Sequence, residues 1–149
     1  MTELFLMSPG HRYWEETASL AENCSWKAGP FLSEKMNGNL LQSWERVCAA
    51  RVDGKIAGFC AFLEKDEMPD EYLFSPFIGF VFVDEAYRGN RLSELMIRHI
   101  VAYARELGFE NVYIMSGEVG LYEKYGFTKL GDYPTIYGSV DQLFMMKME

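Results

Sequence analysis

The alternation of apolar and polar positions opens with a short apolar run, Leu4 to Met7, which predicts a strand; Ser8 and Pro9 then offer an N-cap and a first helical position. A helix is expected over residues 9–24, because Trp14, Ala18, Ala21 and Cys24 recur at three and four while Glu15, Glu16 and Glu22 are left for water. Gly29-Pro30 predicts a break, followed by one or two helical turns over residues 31–36. Residues 44–52 and 55–64 read as strands joined by Asp53-Gly54, and Asp-Gly supplies both positive-φ positions of a type I′ turn, so a hairpin is predicted. Residues 64–71 hold five acids against Lys65 and include Pro69, which predicts a solvated loop; a metal or amine site is the alternative there.

Residues 75–83 are nearly all apolar, as a central strand covered on both faces would be, and Gly79 inside the run marks a bulge or a close approach by another group. The longest periodic segment is 91–107, with Leu92, Met96, Ile100, Tyr103 and Leu107 on one stripe, Glu94 and Arg98 paired at i,i+4, and Gly108 as the stop. A buried strand over 111–115, a short helix over 119–125 ended by Gly126, and strands over 128–132 and 142–148 complete the prediction. A strand, helix and strand between residues 77 and 115 require a parallel crossover, hence an α/β (α+β) fold with a mixed sheet covered by helices. No repeat or linker interrupts the chain, so one domain over 1–149 is expected.

Composition narrows the functional classes. The 23 aromatic side chains (3 Trp, 9 Tyr, 11 Phe) supply ample core and exclude disorder for the bulk of the chain. A net charge of -8 argues against a surface that follows a phosphate backbone, so no nucleic-acid partner is expected, whereas cationic amines suit the field. Cys24, Cys48 and Cys60 are odd in number and scattered, and with only His11 and His99 beside them no cluster has metal-ligand spacing; no disulfide framework and no metal are expected. The longest clean apolar run, 77–83, is too short to span a bilayer and the N-terminus lacks a signal-peptide pattern, so no membrane association and a cytoplasmic location are expected.

The chemistry concentrates at the junction of the apolar strand and the long helix, Arg88-Gly89-Asn90-Arg91-Leu92-Ser93. A helix N-terminus carries unpaired N–H groups and partial positive charge, so a Gly-containing turn feeding it cradles anions, and Arg88 and Arg91 would strengthen the cradle for a phosphate. The other reading is that Gly89 only turns the chain and the arginines pair with Glu85 or Glu94. Further on, Leu121-Tyr122-Glu123-Lys124-Tyr125-Gly126-Phe127 reads equally well as a short helix with a Gly stop and a Phe that re-enters the core.

In this order and at this separation, the two stretches resemble the GNAT superfamily of acyl-CoA-dependent N-acyltransferases. Its cofactor turn runs Gln or Arg, two residues, Gly, one residue, then Gly or Ala; Arg88 matches the leading position, while Arg91 and Ser93 stand where small residues are usual. The later stretch matches the family's L-Y-x-x-x-G-F pattern without substitution. The resemblance implies a mixed, mostly antiparallel sheet with a central parallel pair and helices on both faces. It implies acetyl-CoA as acyl donor, its pyrophosphate on the backbone of Arg88, Gly89, Asn90, Arg91, Leu92 and Ser93, its pantetheine arm along Val81 and Val83, and Tyr122 as general acid toward the CoA thiolate. The Asn that many members place before this Tyr is absent, with Ser116 as partial substitute. No acid lies in residues 75–83 to act as base; Glu118, Asp70, Glu71 and a water held by Ser75 stay open. Trp26, Phe31, Tyr133, Tyr137 and Asp141 are candidate walls for the acceptor, a small-molecule or peptide amine, with packing as their alternative. Homodimers, common in the family, are a further expectation, and a non-catalytic acyl-CoA-binding module is the competing functional class. A nucleotide-binding fold is disfavoured because neither Gly-x-Gly-x-x-Gly nor a Gly-Lys-Ser/Thr loop occurs.

Overall fold

The computed structural model describes residues 1–148. Its elements are β1 (Thr2–Met7), α1 (Trp14–Asn23), α2 (Gly29–Asn37), β2 (Arg46–Val52), β3 (Lys55–Leu63), β4 (Phe77–Val83), a 3-10 turn (Glu85–Tyr87), α3 (Leu92–Glu106), β5 (Asn111–Ser116), α4 (Leu121–Lys124), β6 (Thr128–Pro134) and β7 (Val140–Lys147). The hydrogen-bonded strand order is β1-β2-β3-β4-β5-β7-β6, with β4 and β5 parallel and the pairs β1–β2, β2–β3, β5–β7 and β6–β7 antiparallel. This is the mixed sheet with a central parallel pair that the sequence led us to expect, flanked by helices. The chain clusters into two compact units, Met1–Phe62 with Phe80–Ile100, and Leu63–Gly79 with the chain from Val101 onward.

In the first unit the β2–β3 hairpin turns at Asp53 (φ 47°) and Gly54 (φ 88°), the two left-handed positions a type I′ turn needs. Cys48 and Cys60 stand opposite each other in this ladder, fully buried, where they act as core. Two helix boundaries differ from expectation. Pro9 does not start α1: the Ser8 carbonyl accepts from the His11 N–H at 3.1 Å across a turn with Gly10 at φ 91°, a conformation no helix continues, so α1 begins at Trp14. Gly29-Pro30 does not break the chain but opens α2, since proline's missing N–H costs nothing in a first helical turn. Glycine is required at 29 because a Cβ there would collide with the Ala21 carbonyl and lie 2.6 Å from Cys24 Sγ, so α2 seats closely on α1.

Along α3 the buried set is Leu92, Met96, Ile97, Ile100, Val101 and Ala104, whereas the expected Leu107 lies beyond the helix and 45% exposed. A period of 3.6 drifts off a strict stripe within four turns, which moves the buried face to Val101 and Ala104.

In the second unit, β7 pairs with β5 from Asn111↔Lys147 to Ser116↔Gln142 and with β6 from Thr128↔Met145 to Pro134↔Val140. Phe77 of β4 lies opposite Tyr113 of β5, whose N–H donates to the Pro76 carbonyl at 3.0 Å. The expected helix over 119–125 shrinks to α4, and Val119 stays outside it and exposed. Gly120 at φ 83° explains the late start, because a left-handed residue cannot belong to the first helical turn.

The acid-rich loop departs most from expectation. It is not simply solvated: Met68 is 2% exposed in a cluster with Phe77, Tyr113, Met115 and Leu143, and Tyr72, Phe74 and Tyr133 pack against it. Burying a Met side chain is worth roughly 2 kcal/mol, enough to hold a loop that its charges alone would leave in water. Gly79 does mark a close approach, and the approaching group is a side chain: an added Cβ would lie 2.9 Å from the Asp66 carboxylate.

Candidate active site

The turn expected to receive an anion lies in the first unit. After Val83, the Asp84 N–H donates to the Ala57 carbonyl at 2.8 Å and its Oδ1 accepts from the Ala86 N–H at 3.0 Å, so the chain leaves the sheet through a capped 3-10 turn. Arg88 reaches back, its Nε donating to the Val83 carbonyl at 3.0 Å, and Asn90 Nδ2 donates to the Tyr87 carbonyl at 2.9 Å. Gly89 (φ 88°) and Arg91 (φ 60°) are left-handed, and the first hydrogen bond into α3 runs from the Leu95 N–H to the Arg91 carbonyl at 3.1 Å. In general the leading N–H groups of a helix lack intrahelical acceptors. Left-handed residues ahead of a helix end are a setting in which successive backbone N–H groups can converge on an anion.

Arg91 does not lend its guanidinium to this cradle. Its Nε and Nη2 donate to Glu94 Oε1 at 3.0 and 2.8 Å, and Arg98 Nε holds the other carboxylate oxygen at 2.9 Å. The hydrogen bonds from Arg91 and then Arg98 hold the Glu94 carboxyl below its usual range. Of the two readings of this arginine, pairing with Glu94 is the one the structure adopts; Arg88 binds a carbonyl instead of an acid.

Val81 and Val83 are half-buried on the part of β4 that follows Phe80, which itself has φ 54°. The expected burial of this strand on both faces therefore stops before its end. A left-handed non-Gly residue inside a strand interrupts the alternation. Phe80 and Phe82 both meet Trp26, with ring centroids 6.3 and 6.0 Å away and the Phe82 ring stacked at 8°. Trp26 thus packs on the aromatic side chains of the first unit; Phe31, on α2, is 54% exposed.

Tyr122 lies in the second unit and is 4% exposed, its ring packed among Tyr125, Phe127 and Phe144 at centroid distances of 5.9, 6.3 and 5.6 Å. Its carbonyl accepts from the Tyr125 and Phe127 N–H groups at 3.0 and 3.1 Å, which closes α4 and returns the chain through Gly126 at φ 98°. The ring therefore has a fixed aim. Ser116 Oγ accepts from the Glu118 N–H at 3.0 Å and Ser75 Oγ donates to the Glu64 carbonyl at 2.7 Å, so both hydroxyls serve their own loops. Glu118, Asp70 and Glu71 are exposed.

Sequence reasoning passed over Glu67. It is half-buried, and burial first, then the Asp66 charge, then Asp141, push its carboxyl up to about 8. The only signal was the company of Met68 within the acidic run and of Tyr72 and Phe74 just after it. Among the described residues, no group of three or more His, Cys, Asp or Glu is arranged to hold a metal, and no helix is long and apolar enough to cross a membrane.

The sequence profile of the acetyltransferase (GNAT) family matches residues 10–127. The chain belongs to this family. Its general activity is therefore acyl transfer. Solved structures of similar fold include a GNAT-family acetyltransferase from Streptococcus pneumoniae (15% identity, TM-score 0.73, 100% of both chains covered). Others are an aminoglycoside 6'-N-acetyltransferase complexed with coenzyme A (11%, 0.73, 99% of this chain and 97% of that one) and YncA from Salmonella typhimurium with acetyl-CoA (13%, 0.68, 100% and 95%). At these identities the likeness is one of fold. No curated protein matches the sequence.

Proposed function

We propose that this GNAT protein transfers an acetyl group from acetyl-CoA to a primary amine of a small molecule or peptide, by direct attack within a ternary complex. The observation that carries the reading is the left-handed Gly89–Arg91 turn leading into the start of α3, in a chain of net charge -8. The backbone from Arg88 to Ser93 takes the pyrophosphate, and Val81 and Val83 offer main-chain groups to the pantetheine arm. Because these contacts come from the backbone, Arg91 and Ser93 are tolerated at positions where the family usually has small residues. The amine lone pair forms a bond to the thioester carbonyl carbon, the C–S bond breaks, and the Tyr122 hydroxyl gives its proton to the departing sulfur. The surplus proton on nitrogen leaves through water, and the phenolate recovers a proton from solvent.

A covalent acyl-cysteine has little support: burial pushes the Cys60 thiol well up and its partner Cys48 is equally buried, which keeps both from acting as nucleophiles. A cytoplasmic location and a homodimer belong to the same proposal. A second reading, an acyl-CoA-binding module without turnover, is favoured by Arg91 being committed to Glu94 and by the lack of an acid on β4.

Thiol release from acetyl-CoA over a panel of primary amines tests the choice. Turnover with at least one amine supports the enzyme. Calorimetric binding of CoA without turnover on any amine supports the module, and no CoA binding overturns both.

A further inference from the structure

Asp66 belongs to the loop that precedes β4, yet its carboxylate lies on the strand itself. A Cβ at Gly79 would stand 2.9 Å from Asp66 Cγ and from both of its oxygens, so the carboxylate presents its face to the one residue of β4 that has no side chain. Gly79 is buried and Asp66 half-buried. The chain is fastened on both sides of Asp66. Before it, the Lys65 ammonium donates to the Tyr72 carbonyl at 2.8 Å. After it, the Glu67 carbonyl accepts from the Ile136 N–H at 2.7 Å, and Met68 is 2% exposed in its cluster with Phe77. Ser75 Oγ closes the loop by donating to the Glu64 carbonyl at 2.7 Å, and Tyr72 and Phe74 pack on Tyr133 with ring centroids 5.5 and 5.6 Å away. A loop held at this many points delivers one carboxylate to one place, as a charge aimed at a substrate requires. A half-buried carboxylate has also lost part of its water, and its pull on a cation grows as the surroundings become less polar.

We propose that Asp66 receives the ammonium group of the acceptor and takes a proton from it, so that a neutral amine attacks the thioester. The inference rests on the acyl-transfer reading, in which the pantetheine arm runs from the Arg88–Ser93 turn back past Val83 and then Val81. Gly79 follows two residues further along the same strand, so the acyl end of the arm is directed toward the carboxylate. The step balances: one N–H bond of the ammonium breaks, its electron pair stays on nitrogen, the proton goes to a carboxylate oxygen, and after turnover it passes to water. β4 needs no acid of its own for this, because Gly79 leaves the space in which the loop supplies one.

The test is Asp66→Asn, which keeps the size of the side chain. Thiol release is measured at neutral pH with the most active amine of the panel and with its β-fluorinated analogue, whose nitrogen is already largely neutral. kcat/KM should fall by about 100-fold or more for the first and by about fivefold or less for the second, with acetyl-CoA affinity by calorimetry unchanged within about twofold. An equal loss with both amines, which a purely structural role would give, overturns the proposal. So does native turnover of the basic amine by Asp66→Asn, which leaves the acyl-transfer reading standing; a native protein that turns over no amine overturns that reading and the role of Asp66 with it. Should Asp66→Asn fold poorly, Gly79→Ala decides. The three atoms nearest its Cβ are all at the end of the Asp66 side chain, which it pushes aside, so kcat/KM for the basic amine should fall about tenfold while acetyl-CoA binds as before. No fall in that variant overturns the proposal.

Discussion

The turn from Arg88 to Ser93 and the stretch from Leu121 to Phe127 are both punctuated by left-handed glycine, yet they are built by opposite means. Arg88, Gly89, Asn90 and Arg91 are exposed and held by short-range bonds to carbonyls and to Glu94. Tyr122, Tyr125 and Phe127 are buried and held by one another's rings. A site assembled from backbone amides depends on φ and ψ and is indifferent to most side chains. A site assembled from a buried ring depends on the identity of that ring. Under the proposed function, this contrast accounts for the first stretch departing from the family pattern at Arg91 and Ser93 while the second matches it throughout.

The largest test of that contrast is Tyr122→Phe. Removing one hydroxyl from the buried ring should lower turnover by about 100-fold or more, with acetyl-CoA affinity unchanged within about twofold, as read by thiol release and calorimetry. Turnover equal to the parent would remove the general-acid role.

The next contrast compares the same substitution at two left-handed glycines. Gly126→Ala places a Cβ at φ 98° and 3.2 Å from Met146 Cε, and should cost about 2 kcal/mol, read as a fall of roughly 4–8 °C in Tm. Gly89→Ala meets nothing within 4 Å, so only the conformational cost of about 1 kcal/mol applies, and acetyl-CoA should bind about fivefold more weakly with kcat little changed. A larger stability loss at Gly89 than at Gly126 would contradict the contrast. The smallest effect is expected from Arg91→Gly. It relieves a left-handed non-Gly residue at φ 60° and gives up an exposed ion pair, so stability should rise by about 1 kcal/mol or less while acetyl-CoA affinity stays within about twofold. A tenfold loss of affinity would show that the guanidinium leaves Glu94 to bind phosphate.

The hairpin at Asp53-Gly54, the length of α3 and the parallel crossover were readable from the chain because each rests on local chemistry: left-handed tolerance, a 3.6-residue period, and the reach of a helix between two strands. The family turn and the Tyr122 stretch were readable for the same reason, since a few adjacent residues specify each. The start of α1 was not, because Ser8-Pro9 serves a turn as well as a helix and Gly10 decided between them. Nor was the partner of Arg91, for which Glu85 and Glu94 were equal in sequence until α3 brought Glu94 within 2.8 Å.

Glu67 marks the boundary most clearly. Composition placed it in an acidic run destined for water, but Met68 beside it is drawn into the core with Phe77 and Leu143, and the loop carries Glu67 to Asp141 at the start of β7. Local pattern determined the elements and the two motifs. Which carboxyl is raised, which arginine is engaged and which loop is buried were decided by tertiary structure, because burial and charge pairing depend on distance in space, and residues far apart in sequence carry no local mark of it.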